Sequence, residues 1–177
     1  MKLSYSCMPN IQAIIRSHNT AVLSKARNGE STTSKQCNCR KKESCPLSGK
    51  CQAASVVYQA TVTRADGKPN ETYVGLTEGT FKSRYLNHNS SFGNVNKSNA
   101  TELSKYIWSL KNSNVNYSVS WKILQSCKAY SAKSKRCNLC LHEKYVIICH
   151  PELSSLNTRN ELVSTCRHRK KHLLYKK

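Results

Sequence analysis

The chain has 177 residues, with 29 Lys plus Arg against 9 Asp plus Glu, for a formal net charge of +20. That length suits one domain of ordinary size plus an extension and excludes two large domains. A cationic excess beyond what solubility requires points to a polyanionic partner, nucleic acid first. An anionic membrane surface fits less well, because the sequence carries neither a basic amphipathic helix with a wide apolar face nor a lipidation motif.

No run approaches the roughly 18 apolar residues of a membrane span. After Lys2 the chain passes through Ser4, Ser6, Cys7 and Asn10 without the apolar core of a signal peptide. These features predict an intracellular protein. The sequons at Asn70 and Asn99 then read as accidents of an Asn- and Ser-rich composition.

Residues 1–34 are expected to form a helical and linker segment. Ile11, Ile14, Ile15, Val22 and Leu23 recur at partly helical spacing, and the run from Asn28 to Lys35 is polar. Residues 35–53 are Cys-rich. Cys37, Cys39, Cys45 and Cys51 fall in one tight cluster with Pro46 and Gly49 between them, which favours a turn-rich loop over regular structure. Thiols in a reducing compartment are metal ligands or small core residues more often than disulfides, and four soft ligands at short separation suit a tetrahedral zinc site. Unlinked thiols in a tether are the alternative.

A folded domain is expected over 54–177. Val56, Tyr58, Ala60 and Val62 alternate as a strand, Asp66-Gly67 and Pro69-Asn70 supply turn chemistry, and a second strand runs from Glu71 to Leu76. Thr77 or Thr80 can cap a helix carrying Phe81, Arg84, Tyr85 and His88. Thr101-Glu102 opens a second helix with Leu103, Ile107, Trp108 and Leu110, and Tyr117, Val119, Trp121 and Ile123 alternate as a third strand. A helix from Cys137 to about Cys149 ends at His150-Pro151, and another begins near Asn157. The predicted class is α+β, a small three-stranded antiparallel sheet flanked by helices with a Cys-rich N-terminal extension.

On the third of these helices Glu143 shares a stripe with Leu139, Val146 and Ile147, which places a carboxylate on an apolar face. Such a charge needs a metal, a basic partner or a route to solvent. Cys137 and Cys140 form a Cys-x2-Cys pair that Cys166 with His168 or His172 can complete as a second zinc site; packing of the thiols on a helix is the other reading. Cys7, Cys127 and Cys149 have no partners at metal spacing and read as buried or half-buried thiols. The stretch Arg167-His168-Arg169-Lys170-Lys171 reads as a DNA-backbone contact and a nuclear-localisation patch, or as a solvated tail.

The segment from Val56 to His88 resembles the GIY-YIG nucleases. The first signature stands here as Val56-Val57-Tyr58, where the family usually carries Gly-Ile before the tyrosine, and the second as Tyr73-Val74-Gly75, followed by Arg84-x3-His88. The resemblance covers about residues 55–160. It implies a DNA endonuclease in which Tyr58 activates water, Tyr73 holds water or a phosphate oxygen, Arg84 forks onto phosphate, and His88 moves a proton or binds phosphate. It further implies that Glu143 holds one divalent cation, Mg2+ or Mn2+, and that Asn157 braces the site. Taken without the family, Tyr58 and Tyr73 are ordinary strand residues, Arg84 a solvated face, His88 a surface imidazole and Asn157 an N-cap. Lys82 is expected to touch DNA together with Arg167, Arg169, Lys170 and Lys171.

The cysteine cluster before the domain, Cys137-Asn138-Leu139-Cys140 and Cys166-Arg167-His168 are similar to features of the endonuclease of Penelope-like retroelements. The opening Lys2 to Asn10 is similar to the stretch after a reverse transcriptase in such elements. This resemblance implies a nicking activity, zinc as a structural ion, a piece of a longer polyprotein and a reverse transcriptase of the same element as partner. A catalytically silent zinc and nucleic-acid-binding module is the alternative, and a secreted disulfide-stapled protein is the more distant one.

Overall fold

The computed structural model describes residues 10–27, 37–128, 137–158, 166 and 168. It divides into two compact units. The first comprises Met1–Ser31, Tyr130–Cys137 and Thr165–Lys177; the second comprises Thr32–Ala129 and Asn138–Ser164. The Cys-rich segment thus belongs to the same unit as the sheet rather than standing apart from it.

In the first unit the described regular element is helix α1, Ile11–Arg27. Asn10 opens it by accepting the Ala13 N–H through Oδ1 at 2.8 Å, as an N-cap does. Ile11 and Ile14 are exposed.

The second unit is built on three strands, β1 (Ala54–Arg64), β2 (Glu71–Thr80) and β3 (Tyr117–Ser126), in the order β2-β1-β3 with both pairings antiparallel. The expected α+β class and three-stranded antiparallel sheet are what the chain forms. β1 is central, and its sequence shows why: Val56, Tyr58, Ala60 and Val62 are fully buried on one face, and Val57 and Gln59 are buried on the other. Each large apolar side chain taken from water contributes about 1.5–3 kcal/mol, so the central strand anchors the sheet. The pairing with β2 shifts register between Ala54 and Val56, where Ser55 has φ of +53°. Such an irregularity re-aims side chains just before Tyr58.

Helices α2 (Phe81–Gly93) and α3 (Glu102–Asn112) accompany the Tyr58 face. Phe81 joins Val56 and Tyr58 in one cluster, while Leu103, Ile107 and Leu110 join Ala60 and Val62 in another. β2 runs on to Thr80, past the expected end at Leu76, and Thr80 rather than Thr77 caps α2 by accepting the Ser83 N–H. Thr101 caps α3 in the same way through Ser104. Helix α4 (Asn138–Cys149) packs on β2 and β1 and stops before His150-Pro151, as expected from the proline. Gln59 points away from the Tyr58 face and donates to Leu153 O at 2.6 Å in the turn after α4. That face is therefore the one served by α4 and its turn.

β2 is an edge strand, and an open edge invites pairing with other chains. Residues 155–157 occupy it. Leu156 N–H donates to Thr72 O at 2.9 Å, Thr72 N–H donates to Ser155 Oγ at 2.8 Å, and Asn157 pairs with Val74. Asn157 and Thr158 are not helical, and the rest of the helix expected to begin near Asn157 falls outside the described residues, as do the linker after Arg27, Cys7 and the basic positions Arg167, Arg169, Lys170 and Lys171. Cys127 is half-buried, but Cys149 is exposed at the end of α4, contrary to the expectation of a buried or half-buried thiol. No described helix is long and apolar enough to cross a membrane.

Candidate functional site around Tyr58

Tyr58 and Gly75 are paired across β1 and β2. Because Gly75 has no side chain, the Tyr58 ring lies over it. A Cβ at Gly75 would stand 2.6 Å from the Tyr58 hydroxyl oxygen, 2.8 Å from its Cζ and 3.1 Å from Tyr73 Cε1. Ala60 pairs with Tyr73, so the alternation of side chains puts Tyr73 on the same face as Tyr58. Glycine here is a requirement of close packing, not a chain terminator; the second strand passes straight through it.

Helix α2 delivers the other two groups. Arg84 and His88, four residues apart, project from one face. Arg84 Nε donates to the Tyr58 hydroxyl at 2.9 Å, and the same hydroxyl lies 2.8 Å from His88 Nε2. The Arg84 guanidinium also bonds the Tyr73 hydroxyl. His88 is 2% exposed, which removes the surface-imidazole reading. It sits among aromatic rings: Trp121 at 5.3 Å between centroids, Tyr58 at 5.9 Å, and Tyr73 and Phe92 at 6.0 Å.

The electrostatics follow from this enclosure. Burial, reinforced by the Arg84 charge, pushes the His88 imidazole down to about 3, so it is neutral at physiological pH. Burial likewise raises the Tyr58 phenol well above its ordinary value, with Tyr73 adding to the rise, Arg84 opposing it and the Glu143 carboxylate adding to it. Arg84 itself loses some solvation, yet the two phenols hold its charge more firmly than water does.

Glu143 is half-buried on α4. It arrives from the helix packed on the opposite face, and its charge still bears on Tyr58. Asn157 uses its whole carboxamide on β2, accepting the Val74 N–H at 2.8 Å and donating to Val74 O at 2.9 Å. Asn157 thus clamps the strand between Tyr73 and Gly75, while the N–H groups that an N-cap at this position would serve lie outside the described residues.

Lys82 turns away from this cluster. Its ammonium donates to Asn38 Oδ1 at 2.7 Å and to Asn38 O at 3.3 Å, which ties it to the Cys-rich loop and competes with the expected DNA contact.

In that loop Cys37, Cys39, Cys45 and Cys51 converge, with all four Sγ atoms within 4.8 Å of one another. Cys51 Sγ is 3.5 Å from Cys37 Sγ and 3.7 Å from Cys39 Sγ. Thiolates 2.3 Å from a tetrahedral zinc stand about 3.8 Å apart, so this donor set can hold a zinc ion. The backbone prepares it. Ser48 and Gly49 take positive φ, and Gly49 N–H donates to Cys45 Sγ at 3.1 Å. Burial works against the charged Cys45 thiolate, but the Leu47 and Gly49 N–H groups outweigh it and hold the thiol at about 6. Burial and the neighbouring sulfurs push Cys51 up to about 12, as expected when thiols crowd together without a cation.

In the first unit Cys137, Cys166 and His168 also converge, with His168 Nδ1 3.3 Å from Cys137 Sγ and 3.5 Å from Cys166 Sγ. These three can serve as zinc ligands as well. Cys140 stands half-buried in the first turn of α4.

From the sequence, Trp121 is placed on the third strand but given no part in the site, and Phe92 and Leu47 are given none either. Trp121 carried a usable signal, because its place on β3 opposite Ala60 fixes it on the Tyr58 face. No protein-family model matches the chain, and neither a curated protein nor a solved structure matches it.

Proposed function

We propose that the chain is a divalent-metal-dependent DNA endonuclease of the GIY-YIG type that nicks a phosphodiester bond, derived from a retroelement. The observation that carries this reading is the Tyr58 hydroxyl held between Arg84 Nε and His88 Nε2, with Tyr73 on the same guanidinium. A buried tyrosine hydroxyl needs a hydrogen-bond partner in any case; what supports the reading is that its partners are a permanent cation and an imidazole. A phenol accepting from a permanent cation has its proton directed toward a neutral imidazole, so His88 in its Nδ1–H tautomer accepts that hydrogen bond and orients the Tyr58 oxygen for its part in activating the attacking water.

Arg84 has N–H groups beyond the one given to Tyr58, and its fork suits two phosphate oxygens at once. Glu143 offers the hard carboxylate oxygen that Mg2+ or Mn2+ binds beside substrate phosphate. When bound, such an ion supplies positive charge to the phosphoryl oxygens. Asn157 keeps β2, and so Tyr73, in register with Tyr58.

The formal charge of +20 supports DNA as the partner, and the basic run from Arg167 to Lys171 supports a backbone contact and a nuclear destination. A reverse transcriptase of the same element remains the proposed protein partner. Zinc in the two cysteine groups is structural.

A supercoiled plasmid incubated with magnesium tests the reading. The parent chain converts it to the open circle, and Glu143→Ala and Arg84→Ala each slow the conversion at least about 100-fold. Equal nicking by all three overturns it. One observation favours a silent nucleic-acid-binding module instead: Tyr58 is fully buried and its hydroxyl already has two partners. On that reading the parent and both variants bind DNA and none nicks it.

A further inference from the structure

An α-helix leaves its first four N–H groups without partners inside the helix. In α2, two of them are taken by the exit of the cysteine loop: Phe81 N–H donates to Ala53 O and Lys82 N–H donates to Cys51 O, both at 2.8 Å. Cys51 is one of the four converging thiols. A third N–H, that of Ser83, goes to the Thr80 side chain. The helix that carries Arg84 and His88 is therefore capped largely by backbone of the cysteine loop.

Side chains tighten the same joint. Asn38, between Cys37 and Cys39, accepts from both Lys82 Nζ and Gln52 Nε2, the latter at 2.6 Å. Leu47, between Cys45 and Cys51, packs with Ala53 on the cluster of Val56, Tyr58 and Phe81. The loop itself contains only one three-residue 3-10 turn, Lys42–Ser44, as regular structure. Backbone turns such as Ser48 N–H to Cys45 O and Lys50 N–H to Leu47 O shape it locally, but thiols are weak donors to one another, so drawing four sulfurs to one point calls for a metal ion to offset the entropy of closing the loop.

We infer that zinc held by Cys37, Cys39, Cys45 and Cys51 is a clamp on the N-terminus of α2, so that metal occupancy sets the position of Arg84 and His88 against Tyr58. The ion does no chemistry. It acts by fixing the Cys51 and Ala53 carbonyls that cap the helix and the Leu47 side chain that packs beneath it. The clamp rests on the proposed function only for what Arg84 and His88 do; the mechanical link stands apart from it.

The test uses the full chain. Zinc content is measured first, followed by hydrogen exchange of the native protein before chelation, after it and after zinc is restored. Peptides covering 81–88 are expected to exchange at least about 10-fold faster without zinc, while β1 and α3 keep their rates and added zinc reverses the change. A Cys39→Ser, Cys45→Ser variant, assayed as made, is expected to lose one zinc and to reproduce the acceleration, which assigns it to this loop.

Unchanged exchange over 81–88 after zinc release overturns the clamp. So does a variant that keeps its zinc content or its α2 protection. Loss of protection across β1 and α3 as well overturns it in favour of a general folding role. If nicking is absent while α2 still responds to zinc, the enzymatic reading fails and the clamp stands.

Discussion

The cysteine loop and the tyrosine pocket meet at the two sides of one helix end, but they satisfy their polar groups in opposite ways. The loop turns four thiols inward on one another, with the Leu47 and Gly49 N–H groups and the Lys82 charge among the described groups that ease a thiolate there, and the pocket turns four polar side chains into mutual hydrogen bonds. The four sulfurs can take an ion from outside, whereas the pocket closes its own hydrogen bonds. Preformed polar groups are what the proposed chemistry asks for, since no reorganisation is then spent at the moment of reaction. The contrast assigns rigidity to the pocket and conditional order to the loop.

Gly75→Ala should break the pocket most. The added carbon meets the Tyr58 hydroxyl and ring at 2.6 and 2.8 Å, and Tyr58 is fully buried with no room to retreat. We expect a loss of about 1–3 kcal/mol by chemical denaturation, as for other overpacked cores, together with loss of nicking. A Gly75→Ala protein as stable as its parent would show that Tyr58 is not seated over β2.

Asn157→Ala tests the strand clamp. It removes both hydrogen bonds to Val74, and each net bond contributes about 0.5–1.5 kcal/mol. The same denaturation series should therefore show a loss of about 1–3 kcal/mol. No loss would mean that the edge of β2 is held by Ser155 and Leu156 alone.

The smallest effect concerns protons. His88 titrates near 3 when folded, against an ordinary value of 6.5. Between those values the unfolded chain binds the extra proton and the folded one does not, so stability rises with pH there and falls as acid is added. The imidazole alone accounts for about 1 kcal/mol lost from pH 6 to pH 5. His88→Phe should flatten that part of the curve. An unchanged slope in the variant would place the titrating group elsewhere.

Much of the sheet was legible because its signals are local. Alternation marks β1 and β3, Asp66-Gly67 marks the turn, and His150-Pro151 ends α4. The cysteine loop was legible for the same reason, since short ligand spacing survives in the sequence. Convergence of Tyr58, Tyr73, Arg84 and His88 was suggested by helix and strand periods, but the burial of His88 was not. That depends on Trp121, which reaches it from a strand more than thirty residues away. The diversion of Lys82 to Asn38 was invisible too, because a lysine on a helix face gives no sign of which loop will fold against it. Asn157 reads equally as a cap or a brace until the free edge of β2 is known to lie beside it.

The central claim is that the Tyr58 hydroxyl, held by Arg84 and His88, takes part in cutting a phosphodiester. Tyr58→Phe removes that one oxygen and leaves the ring in the core. Single-turnover nicking of supercoiled DNA by folded Tyr58→Phe protein should be slower than the parent by at least about 100-fold. A variant that nicks as fast as the parent contradicts the account.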